Sequence, residues 1–135
     1  MLEIAVGEYR FAARLEEEAA PQTVAAFRRL LPLESRLIHA RWSGEACWIP
    51  FGGLDVGIGP ENATSYPAPG ELLLYPGGIS ETELLFPYGP TCFASRAGQL
   101  AGNHFATVVE GAEELAAVGP KVLWEGAKPI RLAEH

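Results

Sequence analysis

Leu2, Ile4 and Val6 alternate with Glu3 and Ala5, the period-two pattern of a half-buried strand. Gly7-Glu8 reads as a two-residue turn into a second strand, Tyr9–Leu15. That strand carries Tyr9, Phe11 and Ala13 on one face and Arg10 and Arg14 on the other. The period then changes. Val24, Phe27, Leu30 and Leu31 form one apolar stripe of a helix over Ala20–Leu31. Pro21 suits its first turn, Arg28 and Arg29 complement the dipole in its last turn, and Pro32 stops it.

Arg36–Phe51 is the richest stretch and reads as a hairpin about Ser43-Gly44. With a two-residue turn, Trp42 faces Glu45, and parity assigns Ile38, Ala40, Trp42, Glu45, Cys47, Ile49 and Phe51 to the core side. Leu37, His39, Arg41, Ala46 and Trp48 fall on the outward face, with His39 opposite Trp48. An arginine, a histidine and an indole on one face can serve as a ligand platform through stacking and cation–π contacts. Gly52–Pro69 has no period and a high density of Gly and Pro, as in an ordered excursion or lid. Strands are expected at Glu71–Tyr75, Glu83–Phe86, Phe105–Val109, Val122–Glu125 and Ile130–Leu132, with a short helix or turn over Gly111–Val118. The fold class is therefore mainly β: a closed antiparallel barrel or compact sandwich of about eight strands, capped by one clear and one short helix.

With 135 residues, the chain fits one domain, residues 1–135, with its own core. The formal net charge of −7, with only ten Lys and Arg scattered along the sequence, disfavours nucleic acid and anionic membrane surfaces. No signal peptide or long apolar run is visible, so Cys47 and Cys92 are expected as cytoplasmic thiols. Glu16-Glu17-Glu18 reads as a solvated run ahead of a helix, and nothing fixes ligand geometry for Asp55 and Glu61. No metal and no cofactor are expected.

Two segments resemble the cyclophilins. Ala20-Pro21-Gln22-Thr23-Val24-Ala25-Ala26-Phe27-Arg28-Arg29-Leu30 is similar to their first helix, Pro-x-Thr-Ala-x-Asn-Phe-Arg-x-Leu. Leu100-Ala101-Gly102-Asn103-His104-Phe105 through Gly111 is similar to their Leu-Asp-Gly-x-His-x-Val-Phe-Gly-x-Val-x-x-Gly. More closely, the chain looks like the small bacterial single-domain cyclophilin-like proteins of unknown function. That resemblance implies an eight-stranded barrel capped by two helices, with a binding groove on its outer wall. It does not carry the isomerase site intact. Without gaps, the catalytic arginine position falls on Ala40, the pocket phenylalanine on Glu45 and the glutamine on Trp48; a one-residue shift places Arg41 instead. The resemblance also offers Phe86 for a pocket floor, His104 at the groove edge, Gln99 in place of a tryptophan, and Tyr75-Pro76-Gly77 along a substrate backbone.

The reading that follows is a cyclophilin-like protein binding a small molecule or short peptide in a wall groove, without efficient prolyl isomerase activity. Its expected liners are His39, Arg41, Glu45, Trp48, Tyr75, Phe86, Tyr88 and His104, with Arg41 suited to a carboxylate and the aromatics to an apolar body. If the protein is an enzyme, Glu45 is the candidate general base and His104 the acid or orienter. A prolyl isomerase with a degenerate site is one alternative. A non-catalytic homo-oligomeric or partner subunit, using Trp48 and Tyr88 at an interface, is another.

Overall fold

The computed structural model describes Met1–His135. β1 (Leu2–Val6) and β2 (Tyr9–Leu15) form the expected hairpin, with Val6 opposite Tyr9 across Gly7-Glu8. α1 (Pro21–Arg28) begins at its proline and ends before the predicted boundary. Then come β3 (Leu33–His39), β4 (Gly44–Gly52), the short β5 (Ala63–Thr64), β6 (Glu71–Tyr75) and β7 (Thr82–Thr91). A small ribbon of β8 (Ala94–Ser95) and β9 (Gly98–Gln99) precedes β10 (Gly102–Glu110), α2 (Leu115–Glu125) and β11 (Lys128–Glu134).

The strands run in the order β2-β1-β11-β3-β4-β7-β6-β10, and β10 pairs back onto β2. This closes an antiparallel barrel of eight strands, which leaves no long edge open to pair with another chain. Alternating residues fill its interior, among them Leu2, Ile4, Phe11, Leu37, Ile49, Leu84, Phe86, Phe105 and Leu132. α1 contributes Val24 and Phe27 to that core, the Phe27 ring 4.6 Å from that of Phe105. α2 contributes Leu115, Val118 and Val122. A second, smaller cluster lies on the outside of the barrel: Ala40, Ala46, Leu73, Tyr75, Leu85, Phe93 and Leu100, with Trp48 against it.

Three expectations are corrected. Val122–Glu125 is the end of α2, not a strand; a 3-10 turn over Ala112–Glu114 leads into a helix longer than α1. Three apolar residues in a row, Val122-Leu123-Trp124, fit a helix segment as well as a strand, and periodicity alone does not separate them. Strand β7 runs through Pro87 rather than ending before it. Finally, the link between β3 and β4 is longer than two residues, because Arg41–Ser43 forms a 3-10 turn. Ile38 therefore faces Trp48, and His39 faces Cys47. That one-residue shift reverses every side chain of β3. Leu37 and His39 join Cys47 and Ile49 on the inner side, while Ile38 and Ala40 lie outside with Ala46 and Trp48. Trp42, assigned to the core side, is 51% exposed.

The acidic run beside α1 is held in surface ion pairs: Arg14 with Glu16 and Arg28 with Glu17. No helix is long and apolar enough to cross a membrane.

Candidate functional site

Two regions of the barrel gather polar groups. The first lies where α2 covers the β3–β4–β7 side. His39 ends β3 pointing inward, and its Nε2 lies 2.7 Å from the hydroxyl of Tyr88 on β7. The rings meet edge-on at 5.6 Å. α2 comes so close that a Cβ on Gly119 would lie 2.3 Å from the Tyr88 ring; the glycine is what allows this approach. Burial, reinforced by the Arg41 cation, holds His39 below its ordinary pKa against the pull of Glu45. Burial pushes Tyr88 up, with Cys47 and Glu45 adding to it. Burial likewise pushes the Cys47 thiol up to about 12, which leaves it protonated and inert. Arg41 and Glu45 are exposed at the rim. Four of the eight expected liners, His39, Arg41, Glu45 and Tyr88, are thus neighbours, but on the inner side of the barrel mouth.

The second region is the outer wall across β4, β7 and β6. Trp48 stands opposite Leu85, and Pro50 opposite Glu83. Leu73 and Tyr75 flank the same two β7 residues from β6. The Phe93 ring covers Tyr75 edge-on at 5.7 Å, and Trp42 leans edge-on against Trp48 at 5.5 Å. A groove of about 410 Å³ opens beside this cluster, lined by Tyr75, Leu100, Ile58, Ile79 and Asn103 among others. The Tyr75 hydroxyl accepts hydrogen bonds from the backbone N–H of Ile79 and Ser80, at 3.0 and 3.4 Å. No protein acceptor takes its proton.

The remaining two expected liners stand apart. Phe86 is fully buried in the barrel interior, edge-on to Phe11 at 5.7 Å. His104 lies on the outer side of β10, its Nε2 at 2.8 Å from Thr107 Oγ1 and 3.9 Å from Glu71. It does not meet Glu45. No three His, Cys, Asp or Glu side chains converge on a point that could hold a metal ion.

Residues 2–134 match DUF3830, described as a protein of unknown function. The chain belongs to this family. No curated protein matches this DUF3830 member. Among solved structures, it resembles McbB in complex with tryptophan, with a TM-score of 0.69 and 19% identity over 99% of its own length. It spans 44% of the McbB chain. It also resembles the hypothetical protein AF2241 from Archaeoglobus fulgidus, with a TM-score of 0.64 and 19% identity, covering 99% of this chain and 93% of that one. At this identity the likeness is one of fold.

Two polar groups of this family member escaped the sequence reading. Glu83 sits in the wall at 3% exposure. Burial, with Glu81 beside it, pushes its carboxyl up to about 8. Its signal was available: an acid inside the run Thr82-Glu83-Leu84-Leu85-Phe86, whose residues are all buried. Asn103 is wholly buried and fully used, accepting from Glu61 N and donating to Thr23 Oγ1 and the Gly59 carbonyl at 3.0–3.1 Å. Glu61 in turn accepts from Thr23 Oγ1 and from the first backbone N–H groups of α1, the role of a capping side chain. Burial works to raise its pKa, but those hydrogen bonds win and hold it below the usual carboxylate value. This network ties α1 to the wall loop and is structural.

Proposed function

We propose that this DUF3830 protein binds a small molecule or a short peptide on the outer wall of the barrel, in a cyclophilin-like manner of using the fold, and without efficient prolyl isomerase activity. The groove beside Tyr75 carries the reading. At about 410 Å³ it falls within the roughly 300–1,000 Å³ typical of small-ligand sites. It combines apolar walls at Leu100, Ile58 and Ile79 with a tyrosine proton that a ligand oxygen can accept. McbB, similar in fold over the whole chain, has been seen with tryptophan, which supports an aromatic or amino-acid-like occupant.

Isomerisation demands more than a groove. It must lower a barrier of about 18–20 kcal/mol, using a cation near the proline nitrogen and an apolar ring pocket. Ala40 is buried in the wall and Arg41 is not among the groove residues. Glu45, on which the cyclophilin resemblance places the pocket phenylalanine, is exposed at the barrel mouth and is not among the groove residues either.

The test is an amide-resonance titration with L-tryptophan and with a four-residue Ala-Pro peptide, alongside a protease-coupled isomerase assay. Saturable shifts at Tyr75, Ile79 and Leu100, weakened by filling the groove with Ala101→Trp, are expected. Background isomerase rates are expected too. Shifts absent from these residues for both probes would overturn the reading.

A further inference from the structure

Only three buried side-chain polar atoms in the protein lack a hydrogen-bond partner, and two of them, Glu83 Oε2 and Trp48 Nε1, lie on the outer wall. Glu83 faces Pro50 on β4 and Tyr75 on β6, and Trp48 is the next outward residue of β4. The carboxyl and the indole are therefore diagonal neighbours on one sheet face, their Cα atoms roughly 7–8 Å apart. One offers an unused acceptor and the other an unused donor, in a setting where buried polar groups are ordinarily paired. Beside them stands an aromatic surface: the half-buried Trp48 and the half-exposed Trp42.

We propose that Glu83 and Trp48 recognise a free primary amine and the adjacent carbonyl of a small aromatic ligand or of a peptide with an aromatic first residue. The ammonium pairs with Glu83, the carbonyl oxygen accepts from Trp48 Nε1, and the ring rests on the Trp42–Trp48 pair. This rests on the wall-binding reading and adds a polar contact on the same wall, outside the groove lining itself and reached through Tyr75, which faces Glu83. A carboxylate alone here would be an uncompensated buried charge, whereas an ammonium partner offsets that cost by charge pairing. Perturbed acids of this kind mark binding and catalytic clefts more often than ordinary surface.

The proton balance follows. Free Glu83 is protonated at neutral pH; when an ammonium binds, its proton leaves to solvent and a carboxylate–ammonium pair remains. The other titratable groups nearby are Glu81, just before β7, Tyr75 from β6, and Asp55, which lines the adjoining cleft with Glu81. Strand β4 faces it with Pro50 and Trp48 alone, neither of which titrates.

L-phenylalanine amide and its N-acetylated form are the probes, measured by calorimetry on the whole chain from pH 5.5 to 9. For the free amine, affinity should rise about tenfold per pH unit toward neutrality, with about one proton released per ligand. It should peak near pH 8, where the amine itself begins to deprotonate. Acetylation, or Glu83→Gln, should weaken binding at least tenfold at pH 8, and the variant should lose the acid limb. If both probes bind equally, or the variant keeps the acid limb, the amine assignment is wrong while wall binding stands. If neither probe binds, this assignment falls, and the wall reading is decided separately by the titration with L-tryptophan and the Ala-Pro peptide.

Discussion

Glu83 makes the stability of this barrel depend on pH with a sign opposite to that of a salt-bridged carboxylate. In the unfolded chain it ionises at its ordinary value near 4.5, whereas in the fold it keeps its proton until about pH 8. Between these limits the folded state binds the extra proton, so stability falls as pH rises. The contribution is fully present below pH 4.5 and lost by the time pH has passed through 8. Each pH unit of such a shift corresponds to about 1.4 kcal/mol. The wild type should therefore lose about 3–4 kcal/mol from this one group between pH 5 and pH 8. Its low exposure, 3%, gives solvent little opportunity to screen the effect. Urea unfolding of wild type and Glu83→Gln at pH 5, 6.5 and 8 isolates it, because every other titrating group is common to both. Glutamine brings its own unpaired amide into the wall, so the offset between the proteins at pH 5 carries no information. The change in that offset with pH does. The variant should gain relative to wild type with rising pH; a difference that stays flat across the range refutes the buried-acid argument.

Three further outcomes are expected. Gly119→Ala should destabilise by about 1–3 kcal/mol in urea melts, because overpacking against Tyr88 outweighs the gain of up to about 1 kcal/mol in helix propensity; a more stable variant would show that α2 yields. Asn103→Leu should cost at least about 2 kcal/mol by leaving Thr23 and Glu61 without their partner, and hydrogen exchange should show the start of α1 opening first. In the native protein a thiol reagent should modify one cysteine, the half-buried Cys92, while Cys47 reacts only at the rate of unfolding; fast modification of both would contradict the packing around Cys47.

The barrel was legible because its evidence is local. Period-two runs marked β1 and β2, a continuous apolar run marked β6, the apolar stripe with Pro21 marked α1, and turn residues marked most boundaries. What the sequence concealed was register and partnership. Ser43-Gly44 has the composition of a tight hairpin turn, yet Ser43 is committed elsewhere: its hydroxyl donates to the Ala94 carbonyl and accepts from the Ala94 N–H, and its carbonyl accepts from Cys92 N. Those contacts come from fifty residues away and hold the 3-10 turn that displaces β3 by one position. No local pattern carries that information. His39 was therefore grouped with Trp48, although the barrel wall separates them, and the cyclophilin resemblance added Phe86, which lies inside the barrel. Glu83 could have been noticed as an acid within an apolar run, but the neighbours that leave it unpaired lie on β4 and β6.

The shift in β3 also separates the two surfaces on which the expected liners fall. An eight-stranded barrel has an interior about wide enough for its own side chains, and here Phe27, Phe86 and Phe105 occupy it with a full complement of leucines. His39 Nε2 and the Tyr88 hydroxyl, turned inward and roofed by Gly119, satisfy one another, and His39 Nδ1 is the one unpaired buried atom on that side. On the wall the balance is reversed. Its seven-residue cluster already buries the sheet face, and apolar residues at positions 48 and 83 would complete it at no electrostatic cost. The chain instead places an indole N–H and a carboxyl there and leaves both unpaired, an arrangement that weakens the fold. The proposed recognition of a complementary donor and acceptor would give that pair a role. The same physics explains why the test of binding and the test of pH-dependent stability converge on one residue: the burial that keeps the proton on free Glu83 is the cost that the proposed ammonium would offset by charge pairing.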